Sequence, residues 1–76
     1  MKTIKELRAF CEGVIARLDE DDLPSMDDWI MWGGYDINLA GYNHSGHARK
    51  RNHVHIEAYR DDWTNSLGEP IHAFTI

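Results

Sequence analysis

His53, His55 and Glu57 recur two apart in the stretch RKRNHVHIEAYR. Alternate residues of a β-strand project to one side, so a strand here carries two imidazoles and a carboxylate on a single face, followed by Tyr59. Two histidines and a carboxylate are a donor set that can hold a divalent transition metal. Reach is the obstacle, because i, i+2 neighbours stand about 7 Å apart at the backbone. Closing such a site takes convergent long side chains and a further ligand from an adjacent strand, such as Asp36. Without a metal, Glu57 as general base and His53 or His55 as general acid, with Tyr59 or Arg60 nearby, have the chemistry to activate a ribose 2′-hydroxyl and protonate a leaving oxygen. That is RNA cleavage.

Charge argues against the nuclease. Thirteen acids against eight Lys and Arg give a formal net charge of −5, and a polyanion is on average repelled, which also disfavours direct nucleic-acid binding. The acids stand in blocks: Asp19, Glu20, Asp21 and Asp22, then Asp27 and Asp28, then Asp61 and Asp62. Arg49, Lys50 and Arg51 form the one basic island. With His44 and His47 it could meet phosphate or an acidic protein surface, gaining charge below about pH 6.5. In the plainer reading both kinds of run are solvated loop residues.

No Gly-rich phosphate loop, nucleophile elbow or zinc-protease helix is present, so no cofactor and no metal is expected. Cys11 is the only cysteine; it forms neither an internal disulfide nor a cysteine-built zinc site, and its place beside an apolar stripe suits packing. The N-terminal MKTIKELRAF mixes charge with apolar residues. It offers neither the apolar run of a signal peptide nor a span of roughly 20 residues for a bilayer, and the expectation is a soluble, cytoplasmic protein without membrane contact.

The elements that position these groups follow from periodicity. Thr3 and Glu6 have capping-box spacing, and Ile4, Leu7, Phe10, Val14, Ile15 and Leu18 recur at helical spacing, predicting one amphipathic helix over about residues 3 to 19. Gly13 within it marks a close approach to the sheet or nothing at all. WIMWGGYDINLAGY reads as two strands around a Gly33-Gly34 turn. Counting outward, Trp32 faces Tyr35, Met31 faces Asp36, Ile30 faces Ile37 and Trp29 faces Asn38. One side then carries Ile30, Trp32, Tyr35, Ile37 and Leu39, and the other Trp29, Met31, Asp36 and Asn38. A third strand, about 52 to 60, puts Val54, Ile56 and Ala58 on one side and His53, His55, Glu57 and Tyr59 on the other. NHSGHARKR is an exposed loop, DDWTNSLGEP a connector, and IHAFTI a final strand whose inward face is open. The predicted fold is a single α+β domain over residues 1–76, with one N-terminal amphipathic helix packed on one face of a four-stranded antiparallel β-meander.

One helix covers one face only. Trp29, Met31, Tyr59 and Tyr42 then add aromatic and soft apolar area to His53, His55, Asp36 and Asn38, a mixture that protein interfaces enrich; alternatively Trp29 lies under the connector that contains Trp63. The expectation is a small protein-binding module without catalytic activity, an inhibitor whose acidic blocks occupy a basic, nucleic-acid-binding surface of a partner in place of phosphates. In size and charge, though through no matched motif, the chain resembles phage-encoded inhibitors of bacterial defence, anti-CRISPR proteins among them, and immunity proteins of nuclease toxins. An unpaired sheet edge allows a homodimer. The rival expectation is a small RNase or metal-dependent enzyme built on His53, His55 and Glu57.

Overall fold

The capping box forms as its spacing requires. The Thr3 hydroxyl accepts from the Glu6 N–H at 3.2 Å, and the Glu6 carboxylate accepts from the Thr3 N–H at 3.4 Å. Two donors of the first helical turn are thereby satisfied, and the Thr3 hydroxyl, which donates to Glu6 Oε1 at 3.0 Å, together with the Thr3 N–H holds the Glu6 carboxyl below its ordinary value. In the computed structural model, which describes residues 2–19, 21–41, 54–60 and 68–76, helix α1 runs over Ile4–Ala16. It stops three residues short of the expected end. The N–H groups of Arg17 and Leu18 bond to the carbonyls of Val14 and Ile15, both at 3.1 Å, and this i−3 pattern tightens the last turn.

Asp19 organises the turn that follows, its carbonyl accepting from the Asp22 N–H at 3.0 Å and its carboxylate from the Asp21 N–H at 3.3 Å. A short 3-10 helix over Leu23–Ser25 then buries Leu23. It lies directly against the end of a strand, since a Cβ added at Gly41 would stand 1.8 Å from the Leu23 carbonyl oxygen. Only a residue without a side chain fits there.

Four strands follow: β1 Asp27–Trp32, β2 Tyr35–Gly41, β3 Val54–Arg60 and β4 His72–Thr75. They pair in chain order, each antiparallel to the next, which is the expected meander with one helix. Gly33 and Gly34 take φ values of 60° and 87°, the positive pair that a tight hairpin turn demands. The register is the one counted outward from that turn, Trp32 opposite Tyr35 through Trp29 opposite Asn38. Strand β1 starts two residues earlier than expected. Aspartate is disfavoured in strands, yet Asp27 and Asp28 pair with Ala40 and Leu39.

The helix covers the face predicted to be dry. Tyr35, Ile37, Leu39, Val54, Ile56 and Ala58 are buried there with Leu7 and Cys11 of the helix, and Leu23 and Met26 close one end. Phe10 stacks on Trp32 at 4.4 Å and 8°. Pairing of Phe74 with Ile56 settles the last strand: His72 and Phe74 lie on the helix side, Ala73 and Thr75 on the other. The helix is also tied to the hairpin tip, with the Lys2 N–H donating to the Gly33 carbonyl at 2.9 Å and the Tyr35 hydroxyl donating to the Lys2 carbonyl. Gly13 makes no close approach, because a Cβ there would meet nothing within 4 Å. Among the described residues no helix is long and apolar enough to cross a membrane.

Candidate functional site

Parity and register leave one sheet face uncovered by the helix. It carries Asp27, Trp29 and Met31 of β1, Asp36, Asn38 and Ala40 of β2, His55, Glu57 and Tyr59 of β3, and Ala73 and Thr75 of β4. Trp29 is 51% exposed and Met31 68%, so the first strand presents large apolar groups to solvent.

Two arrangements give this face its character. Along β3 runs a polar row in which His55 Nδ1 lies 3.4 Å from the Thr75 hydroxyl, His55 Nε2 lies 3.4 Å from Glu57 Oε2, and the Tyr59 hydroxyl donates to Glu57 Oε1 at 3.0 Å. With a proton on Nε2, the imidazole donates to the Glu57 carboxylate. Burial, then the bond to Glu57 and its charge, raises the Tyr59 phenol above its ordinary value. Across the strands, the ring of Tyr59 reaches over β2 to that of Trp29, centroids 5.7 Å apart. Asn38 lies on β2 between them, only 9% exposed. Its amide donates to the Asp27 carboxylate at 2.9 Å and to the Asp28 carbonyl at 3.3 Å.

Charge divides between the faces. The open face holds the carboxylates of Asp27, Asp36 and Glu57 and, among the described residues, no Lys or Arg. Every described cation is elsewhere: Lys2, Lys5, Arg8 and Arg17 are in or beside the helix, and Arg60 pairs with the core residue Tyr35 on the helix side. Arg8 sits over the Phe74 ring at 5.4 Å, and Arg8 and Lys2 pair with Glu12 and Glu6 at 3.4 and 3.5 Å.

The structure thus brings Trp29, Met31, Asp36, Asn38, His55, Glu57 and Tyr59 together on one face, as their alternation implies. It separates the acids. Asp27 joins that face, Asp28 takes the opposite parity, and Asp19, Asp21 and Asp22 are exposed in the turn after the helix. Glu20, Tyr42, His44, His47, Arg49, Lys50, Arg51, His53, Asp61, Asp62 and Trp63 lie outside the described residues. The side chains of His55 and Glu57 converge despite their backbone spacing, but among the described residues no group of three or more His, Cys, Asp or Glu is placed to hold a metal. Cys11 is fully buried, its thiol pushed up to about 11 by desolvation and then by Glu12. Thr75 and the Asp27–Asn38 bond escaped sequence reasoning: the parity of β4 is ambiguous in its apolar pattern, and Asp27 reads as a loop residue.

Compared with models of known protein families, with curated proteins and with solved structures, the chain matches none.

Proposed function

We propose that this chain is a cytoplasmic protein-binding module that docks its open sheet face on a basic surface of a partner protein and inhibits it by occupying a site that otherwise receives nucleic acid. One observation carries this reading: exposed Trp29 and Met31 stand among Asp27, Asp36 and Glu57 on a face whose described residues include no Lys or Arg. Large exposed aromatic and thioether groups supply the area that anchors an interface, while carboxylates of one sign steer a cationic partner and reject an anionic one. The exposed Asp19, Asp21 and Asp22 add to that field from the far end of the helix. The test is capture from host lysate with wild type, a Trp29→Ala/Met31→Ala variant and a Lys5→Ala variant. A partner with a basic surface that is retained by wild type and Lys5→Ala, lost with the double variant and released by moderate salt supports the module. A partner retained equally by all three overturns docking through this face.

The convergence of His55, Glu57 and Tyr59 favours a second reading, a small RNase. It predicts RNA degradation by pure protein that disappears in His55→Ala/Glu57→Ala. If wild type degrades RNA and that variant does not, the enzyme replaces the module.

A further inference from the structure

We infer that the outer edge of β1 receives an extended basic segment of the partner as a fifth strand, a mode of docking that rests on the reading of the open face as a surface for a basic protein. In a two-residue turn the closing pair, Trp32 and Tyr35, exchanges backbone bonds, and bonded and non-bonded pairs then alternate along the ladder. Ile30–Ile37 and Asp28–Leu39 are therefore bonded pairs, and the next in phase is confirmed by the Gly41 N–H on the Met26 carbonyl at 2.6 Å. Asp27, Trp29 and Met31 fall in the other phase, so their N–H and C=O groups point away from β2. The same three residues place their side chains on the open face.

The order of strands leaves β1 and β4 at the edges, and among the described residues nothing bonds to the outer side of β1. An edge of this kind is a template for strand addition, in which backbone bonds give affinity and alternate side chains give specificity. Strand β1 is the better template. It has six residues against four for β4, and it alone brings carboxylates and exposed aromatic area to its edge. Side chains of an incoming strand that fall on the open face meet Asp27, Trp29 and Met31, where lysine or arginine can pair with the carboxylate and lie over the indole. Those on the other side meet Asp28, Ile30 and Trp32, and beside the last two, both partly buried, apolar residues fit. A second copy is the poorer occupant: each chain carries −5, and two like-charged copies repel.

The test uses a blocked heptapeptide alternating lysine and valine, with a glutamate–valine peptide as control, titrated into isotope-labelled protein at low salt. Saturating lysine–valine peptide should slow amide hydrogen exchange at Asp27, Trp29 and Met31 at least tenfold and leave Asp28, Ile30 and Trp32 unchanged; the control should do neither. Met31→Pro removes one outward N–H without a bond to β2 and should weaken binding at least tenfold more than Met31→Ala; if it fails to fold, the exchange pattern of the wild type decides alone. Binding without protection of those three amides overturns strand addition and leaves the basic-partner reading intact. Absence of binding also overturns it, and the lysate capture then judges that reading separately. Protection that grows with protein concentration without peptide would assign the edge to a second copy and sink the proposal.

Discussion

Trp29 and Tyr59 meet above β2, with ring centroids 5.7 Å apart and planes tilted by 39°, although a whole strand separates their backbones. Asn38, opposite Trp29 on β2, donates its amide to the Asp27 carboxylate and the Asp28 carbonyl. A buried amide held this way fixes the β1 and β2 side chains that the open face displays.

A double-mutant cycle on Trp29→Ala and Tyr59→Ala should give a coupling of about 0.5–1.5 kcal/mol, the range for an aromatic pair beyond its area. Urea denaturation reads it. Additivity of the two changes would mean that the rings meet without stabilising each other.

Gly41→Ala should destabilise the fold by about 3 kcal/mol, because the new methyl group would stand 1.8 Å from the Leu23 carbonyl oxygen and 2.8 Å from the Pro24 backbone, and forcing them apart strains both elements. The same denaturation series measures it. A loss below about 1 kcal/mol would show that the 3-10 helix shifts freely.

Gly13→Ala should act in the opposite direction. The position is exposed and helical with open space around the missing Cβ, so alanine gains roughly 1 kcal/mol of helix propensity at no steric cost. A higher denaturation midpoint with an unchanged slope is the expected signature.

Cys11 links stability to alkaline pH. Burial favours its neutral thiol, so the folded-state value, about 11, lies above the ordinary 9.0; the stabilisation is whole below pH 9 and is lost as pH rises towards 11. Its full size is on the order of 3 kcal/mol. The Tyr59 phenol, also raised, adds a loss that begins above 10.0. In Cys11→Ala the decline between pH 9 and 11 should flatten, and an unchanged slope there would show that the thiolate is accommodated.

How much of this was legible in advance depended on what each residue needs. The diglycine turn requires positive φ at both positions, and once it is placed strand alternation assigns Ile30, Trp32, Ile37 and Leu39 to one face and Trp29, Met31 and Asn38 to the other. The Thr3–Glu6 pair is as local and as readable. Tertiary contact decided the rest. Nothing along the chain says that Asp27 and Asp28 extend β1, since pairing with Ala40 and Leu39 overrides aspartate's preference for loops. Nor does alternation reveal that Trp29 touches Tyr59, because that contact skips a strand. In IHAFTI both parities are apolar, and only the pairing of Phe74 with Ile56 resolves them.

The stacking of Phe10 on Trp32 and the exposure of Trp29 place two indoles in contrasting surroundings on opposite sides of a thin sheet. Each is a fluorescent reporter of its own side. With Trp29 and Trp63 replaced by Phe, emission from Trp32 would follow detachment of the helix; with Trp32 and Trp63 replaced, Trp29 would respond when something covers the wet side. Unfolding and occupancy can then be watched separately in one small chain, without attaching a dye.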